Sequence, residues 1–373
     1  MILEIKRYAD YAKKSFIHKN RLNFLILYAT SRCNLSCGSC FFHESLNGKN
    51  DLSLDEYEKI AKSAGHFSIL GIAGGEPYLN PDLEKICSLF VENGKIDTLF
   101  IPTNGTMTEM IVEKTEELLK KFPAISISIN PSLDGMEEYH DKNRGVPGTF
   151  SKCVETIKKL LELKKKYKNL QVIVNTVINR DNLDEVEKLM EFLKNYNIDF
   201  QAFELMRGDF RDKSLDLPSP DEIKKIHDKI LKNRYWHLIK RKNYFKNKFL
   251  SKIEEIAVLG TLKYGQTFKE LALSGKKWPR ACMAGRSIFA VSPDGSFSAC
   301  EINPPLADLK QYDYDLSKIM KDKNISRQIK NITNKKCDCT HICFIHSAIA
   351  ASPTSIFQIV LNYMKARKII KSC

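Results

Sequence analysis

Three cysteines stand close together in Thr30-Ser31-Arg32-Cys33-Asn34-Leu35-Ser36-Cys37-Gly38-Ser39-Cys40, a C-x3-C-x2-C spacing with glycine and small polar residues between the thiols. A loop this short can wrap one metal centre. Three thiolates can hold three irons of a four-iron cluster and leave the fourth open for a chelating cofactor, much as a catalytic zinc site keeps one position for its substrate. The competing account is a zinc knuckle. It needs a fourth Cys or His at zinc-finger spacing, and His43 follows Cys40 too closely to supply one.

A second group lies far downstream. Cys282 and Cys300 frame C-x12-G-x4-C around Ser292-Pro293-Asp294-Gly295, which reads as a hairpin turn. Then comes Cys337-Asp338-Cys339-Thr340-His341-Ile342-Cys343, a C-x-C-x3-C run. These five cysteines suit one fully ligated four-iron cluster with one thiol over, or one zinc site with a spare. Cys87 and Cys153 fall in helical patterns, where a buried small hydrophobe is the ordinary role. Cys373 ends the chain and can be ligand, free thiol or neither.

The elements that must position these thiols follow a regular alternation. Short β-branched or aromatic runs at 23–30, 67–73, 98–102, 124–130, 170–178 and 199–206 alternate with helical periodicity beginning near Ser53, Pro81, Thr108, Thr149 and Asn182. Six βα units are too few to close an eight-strand barrel, yet right-handed crossovers curve the sheet the same way. The expected fold is α/β: a partial (β/α)6 TIM-like barrel at 23–217 with a smaller C-terminal cysteine-rich auxiliary domain at 278–346. A helical extension at 1–22, a basic helical connector at 218–277 and a C-terminal helix at 347–373 complete the expected organisation.

In parallel βα folds, chemistry gathers at the carboxyl ends of the strands, because the loops there share one mouth. The strand ends carry Gly74-Gly75-Glu76-Pro77; Thr103-Asn104-Gly105; Ser128, Asn130, Ser132 and Asp134 followed by His140-Asp141-Lys142-Asn143-Arg144-Gly145; Asn175 and Thr176; and Glu204-Leu205-Met206-Arg207-Gly208-Asp209. With the cysteine loop ahead of them, these segments resemble the radical S-adenosylmethionine (SAM) superfamily. The loop resembles its cluster signature, although Ser39 stands where an aromatic residue is usual and Phe41 or Phe42 is then expected to meet the adenine.

The resemblance implies a SAM-binding 4Fe-4S cluster on Cys33, Cys37 and Cys40, with SAM chelating the open iron. It also implies SAM contacts from Gly74, Gly75, Glu76 and Pro77, a turn below the cofactor at Thr103 and Asn104, and ribose or carboxylate contacts among Ser128, Asn130, Ser132, Asp134 and Arg144. Two registers compete for the ribose contact: Ser132-Leu133-Asp134-Gly135, and Ser128 with Asn130. Asn175 and Thr176 are candidates for the adenosine or methionine part, and Glu204, Arg207 and Asp209 for the substrate side of the mouth. For each polar residue taken singly, turn chemistry or capping is an equal alternative, and a surface ion pair is for Arg207.

The 282–300 hairpin resembles the opening of the SPASM and twitch extensions, implying an auxiliary 4Fe-4S cluster drawn from Cys282, Cys300, Cys337, Cys339 and Cys343; the downstream spacing departs from the seven-cysteine SPASM pattern. The implied reaction is reductive cleavage of SAM to a 5′-deoxyadenosyl radical and hydrogen abstraction from an unidentified peptide, sugar or lipid intermediate. Radical methyl transfer is an alternative within the family. A non-catalytic iron–sulfur or zinc protein would explain the cysteines, but not the strand-end series.

Net charge is +14, from 59 Lys and Arg against 45 Asp and Glu. Such a surface draws anionic partners in general, whether an acidic electron donor such as a flavodoxin or ferredoxin, or an anionic membrane, without choosing among them; there is no clear nucleic-acid signal. Solvated lysine faces are the plainer account. Segments 5–21 and 354–371 pair apolar positions at helical spacing (Ile5, Tyr8, Ala12, Phe16; Phe357, Val360, Met364) with lysines and arginines, and are expected to pack on the barrel or lie on a bilayer. No run approaches the roughly 18 apolar residues of a spanning helix, and Met1-Ile2-Leu3-Glu4 opens without a signal-peptide pattern, so a cytoplasmic protein is expected. In that reducing compartment, clustered cysteines point to metal rather than disulfides.

Overall fold

The computed structural model describes residues 10–11, 13–14, 16, 21–242, 247–334 and 339–372. Cys337, Cys373 and most of the N-terminal extension, including Ile5, Tyr8 and Ala12, lie outside the described residues.

Six parallel strands follow the expected series: β1 Phe24–Tyr28, β2 Ile69–Ala73, β3 Thr98–Thr103, β4 Ser126–Pro131, β5 Leu170–Ile178 and β6 Phe200–Leu205. Their neighbours run in chain order from β6 to β1, as successive right-handed βα crossovers require. Both faces are covered, so the strands read as continuous apolar runs: Leu25, Leu27, Leu99, Ile127, Ile129 and Val172 are fully buried. Each such side chain contributes about 1.5–3 kcal/mol by leaving water. The crossover helices begin close to the expected positions. Leu54–Ser63, for instance, starts behind Ser53, whose hydroxyl accepts from Glu56 N while Glu56 reaches back to Ser53 N.

The cysteine-bearing segment joins the same sheet. β7 Ile288–Val291 pairs in parallel with β1, and β8 Ser296–Ser298 and β9 Ala307–Asp308 follow in antiparallel fashion. The result is a nine-stranded sheet in which the expected hairpin turns at Gly295, with φ of 88°. β7 covers the β1 edge of the half-barrel. The opposite edge, β6, is covered by helices: Lys269 on Lys248–Leu273 donates to the carbonyl of Phe203 at 3.0 Å. The basic connector is therefore two long helices, Pro220–Lys242 and Lys248–Leu273, and the second closes the barrel's open side. Helix Ser355–Lys371 packs along it. No helix among the described residues is long and apolar enough to cross a membrane.

Candidate active site

The loop carrying Cys33, Cys37 and Cys40 leaves the carboxyl end of β1 and is held from three sides. From β2, Gly75 N donates to Thr30 O at 2.9 Å and Glu76 N to Arg32 O at 2.7 Å. This contact is so close that a Cβ on Gly74 would lie 2.3 Å from Thr30 O, and one on Gly75 2.1 Å from Arg32 O. Only glycine fits at either position. From the other side, Gly38 N donates to Asn143 O at 2.8 Å and Ser36 N to Arg144 O at 3.3 Å. After β6, Asp212 N and Arg211 N donate to Gly38 O and Cys40 O. Asp51 accepts from Thr30 Oγ1 at 2.6 Å and from Ser31 N, and Asn47 Oδ1 accepts from Cys33 N at 3.0 Å.

The three thiols are half-buried. Burial pushes Cys33 up to about 11 and raises Cys40 as well, so without metal both are protonated and metal loading must release those protons. Their sulfurs do not all lie within 4.8 Å of one another. Around a single zinc, with Zn–S near 2.3 Å, tetrahedral sulfurs sit about 3.8 Å apart. The spread fits a multi-iron cluster better than one ion.

Arg144 braces the loop from below. Its Nη2 lies 2.8 Å from Asp134 Oδ2, and its Nη1 donates to Cys37 Sγ at 3.7 Å. Asp134 is nearly inaccessible and also accepts from Asn143 Nδ2 at 2.8 Å and Val177 N at 3.1 Å. Asn143 and Arg144 end a short helix, Glu137–Arg144, that the sequence pattern did not announce; it stops at Gly145, with φ of 74°. Thus the Asp134 carboxylate and the Arg144 guanidinium hold each other and the cysteine loop. Thr176 is likewise buried, donating to Leu133 O at 2.7 Å and accepting from Gln201 Nε2.

Glu76 turns its carboxylate into the protein, accepting from Thr103 Oγ1 at 2.9 Å, Asn104 N at 2.6 Å and Tyr78 N at 3.3 Å. Burial pushes it up to about 7 despite these three donors. Pro77 starts a single 3-10 turn behind it. Asn104 then donates to Asn34 Oδ1 at 2.8 Å, tying the Thr103-Asn104-Gly105 turn to the cysteine loop. At the ends of β4 and β5 a polar row converges: Ser128 Oγ donates to Asn130 Oδ1 at 3.0 Å, and Asn130 Nδ2 to Asn175 Oδ1 at 3.4 Å. Ser132 sits beyond it, its N–H bound to Thr103 O. Of the two competing registers, Ser128 and Asn130 lie in this row with Asn175, whereas Asp134 is spent on Arg144.

On the far side of the mouth, Glu204 and Arg207 come together around a residue the sequence reading passed over. Arg207 lies 3.4 Å from Glu204 Oε2 and 3.5 Å from Glu301 Oε2, with its guanidinium 4.8 Å from the Phe41 ring centroid. Glu301 also accepts from Tyr28 Oη at 2.7 Å and pairs with His341 Nε2. His341 Nδ1 accepts from Cys343 N, which leaves the ring proton on Nε2. Burial alone would raise Glu301, but His341, Arg207 and Tyr28 outweigh it and hold the carboxyl down at about 2. Asp209 does not join this cluster; it is exposed and paired with Lys213. Phe42 packs on Tyr28 at 4.7 Å between ring centroids.

Glu301 follows Cys300, and His341 lies between Cys339 and Cys343. This ion network therefore ties the C-terminal cysteines to β6. Cys282 and Cys300 are buried, and Cys339 and Cys343 half-buried, all against the same core. Trp278 Nε1 donates to Cys339 O at 3.1 Å. Cys87 and Cys153 are fully buried in helices, as small hydrophobes. Among the missed residues, Asp51, Asn47 and Glu301 carry no spacing signal; Glu301 could have been suspected only from its place beside a candidate ligand.

A parallel half-barrel with a three-thiol loop after its first strand, braced by glycine-rich and polar turns from the next strands, defines the class. Residues 27–193, just under half of the chain, match the model of the radical SAM superfamily, so the chain carries a radical SAM domain. Among curated proteins it is 30% identical over 196 residues to the GTP 3′,8-cyclase of Clostridium botulinum, a match covering 51% of this chain and 58% of that one. The chain thus spans just over half the length of that relative. Among solved structures, anSMEcpe with bound AdoMet and Cp18Cys peptide superposes with a TM-score of 0.54 at 22% identity, over 94% of this chain and 98% of the other. Streptococcus suis SuiB bound to precursor peptide SuiA gives 0.56 at 18% identity, over 88% and 74%. The likeness of fold therefore runs through the C-terminal cysteine segment as well as the barrel.

Proposed function

We propose that this chain is a radical SAM enzyme that cleaves SAM reductively and removes a hydrogen atom from an organic substrate. One observation carries the reading: the three thiols stand on a loop fixed by Gly75, Glu76, Asn143 and Arg144 at the carboxyl mouth of a parallel half-barrel. Cys33, Cys37 and Cys40 would hold a four-iron cluster, which would supply the electron for splitting SAM into methionine and a 5′-deoxyadenosyl radical.

The chain's own residues bind and orient. The glycines leave backbone room beside the loop, and Arg144 places positive charge next to Cys37. Ser128, Asn130 and Asn175 offer hydroxyl and amide groups for the ribose. Glu76 holds the Thr103–Asn104 turn rather than reaching into the mouth. Glu204 and Arg207 face the substrate side, with Glu301 and His341 fixing Arg207. Cys282, Cys300, Cys339 and Cys343, with Cys337, are the candidate ligands of an auxiliary 4Fe-4S cluster.

Two solved relatives of this fold carry bound peptides, which supports a peptide among the substrate classes. An acidic electron donor suits the +14 charge. The exposed Ile356, Phe357, Val360 and Met364 beside Lys365 and Lys368 support contact with an anionic membrane. A cytoplasmic setting suits the cluster chemistry.

Anaerobic reconstitution and reduction with dithionite tests the reading. 5′-Deoxyadenosine is expected from SAM, with Cys33→Ala, Cys37→Ala or Cys40→Ala abolishing it; undiminished cleavage in the triple variant refutes the assignment. Iron per chain should fall by about half when Cys282, Cys300, Cys339 and Cys343 are replaced together, and bound zinc in their place rules out the auxiliary cluster.

A further inference from the structure

The chain that follows the three-thiol loop turns back on it: residues 47–52 lie against residues 30–33. Ser31, 4% exposed, has each of its polar groups taken by this return. Its N–H donates to Asp51 Oδ2 at 2.9 Å, its Oγ donates to Gly48 O at 3.2 Å, and its carbonyl accepts from Asn47 N at 2.8 Å. The return is itself anchored at its far end. Leu52 is buried and donates its N–H at 2.7 Å to Pro293 O, in the hairpin between Cys282 and Cys300, and Ser53 caps the helix Leu54–Ser63. A segment fixed in this way can impose a geometry on the loop instead of following it.

One residue of the return reaches a thiol-bearing residue directly. Asn47 Oδ1 accepts from Cys33 N at 3.0 Å. Asn47 also stands at φ of 58°, a left-handed conformation that, among residues with a Cβ, is adopted chiefly by Asn and Asp. The position thus makes two demands. Its backbone must turn left-handed so that Asn47 N meets Ser31 O, and its side chain must offer an oxygen to the Cys33 amide. Glycine meets only the first demand, alanine neither, and aspartate both. The bond to Cys33 N holds the peptide plane that enters Cys33, and so limits the directions in which its Cα–Cβ bond can carry the thiol. The other two cysteines are held elsewhere: Arg144 Nη1 donates to Cys37 Sγ, and Arg211 N to Cys40 O.

We propose that Asn47 is a positioning residue for Cys33, setting the direction of that thiol before metal arrives. Asp51 and Leu52 keep the return in place for it. That the metal is a four-iron cluster rests on the proposed function; that Asn47 orients Cys33 does not.

Three variants of the full chain separate the two demands: Asn47→Asp, Asn47→Gly and Asn47→Ala. In metal-free protein, hydrogen exchange at the Cys33 amide reads the hydrogen bond itself, with the amides of β3 as control. It should quicken about tenfold in Asn47→Gly and Asn47→Ala and stay slow in Asn47→Asp. After reconstitution with iron and sulfide, without SAM, the chelator bathophenanthroline disulfonate should strip iron from the three-thiol loop about tenfold faster in Asn47→Gly and Asn47→Ala than in Asn47→Asp or the unaltered chain. The paramagnetic resonance signal of the reduced protein should change in the same two variants. Normal iron retention and signal in Asn47→Gly, with both lost in Asn47→Ala, would assign Asn47 to the turn alone and overturn the proposal. So would Asn47→Asp behaving as Asn47→Ala does, or faster exchange in Asn47→Gly with the metal readouts unmoved. If Asn47→Ala fails to fold by circular dichroism, Asn47→Gly against Asn47→Asp decides, since both allow the left-handed turn. SAM is absent throughout, so failure here leaves SAM cleavage standing. Zinc in place of iron in the loop would defeat the proposed function and leave the exchange result intact.

Discussion

Asp134 and Arg144 carry opposite charges deep below the cysteine loop, and their worth lies in what each would be without the other. Asp134 is 1% exposed and receives three polar partners, while Arg144 spans from that carboxylate to Cys37 Sγ. Removing one member of a buried pair strands the other's charge at a cost of about 3–5 kcal/mol. Asp134→Ala should therefore lower the melting temperature and also reduce iron uptake, because the carbonyls of Asn143 and Arg144 accept from Gly38 N and Ser36 N of the loop. Arg144→Lys keeps the charge but loses the fork that reaches both partners, so a smaller thermal loss with a similar iron deficit is expected. Iron content that stays at the unaltered level in both variants would show that the pair supports the fold and not the loop.

Between β1 and β2 the loop and the Gly74–Gly75 turn meet backbone to backbone. The element-scale test is Gly75→Ala: a Cβ at 2.1 Å from Arg32 O cannot be accommodated by moving a side chain, so the loop must shift. Iron per chain should drop to what the C-terminal cysteines hold, while the far-UV spectrum stays that of the intact barrel; full iron loading would mean the loop tolerates the displacement. Glycines of this kind were legible, since two in a row before Glu76 at a strand end have few other uses. The strands were legible because their apolar runs are long and unbroken. Helix Glu137–Arg144 was not: it is short and mostly polar, buries only His140 and Asn143, and exists because Asp134 and the loop capture its last turn. Glu301 was invisible for a similar reason, since its partners Tyr28, Arg207 and His341 arrive from three distant parts of the chain. Long-range electrostatic convergence leaves no periodic trace in a sequence.

Across the whole molecule, the barrel's two edges are finished differently, β1 by the cysteine-bearing hairpin and β6 by long helices, and the second solution buries histidine. His237, on Pro220–Lys242, is buried among Arg234, Lys240 and Lys194, with Nε2 lacking a partner; burial first and then these cations pull it down to about 3. His140, packed under the cysteine loop, is drawn down to about 4, chiefly by burial and then by Arg144. Each ring stays neutral in the fold but takes a proton near 6.5 once the chain unfolds. Their contribution is complete above about pH 6.5 and is lost progressively as pH falls toward 4, at a few kcal/mol per ring. The melting temperature should therefore decline steeply between pH 6.5 and 4, before most carboxylates protonate. His237→Phe, which cannot take up a proton and fills a similar volume, should flatten that decline while changing little at pH 8. An acid limb of the same slope in His237→Phe would mean that His237 is protonated within the fold, and that the surrounding lysines and arginines move away to permit it.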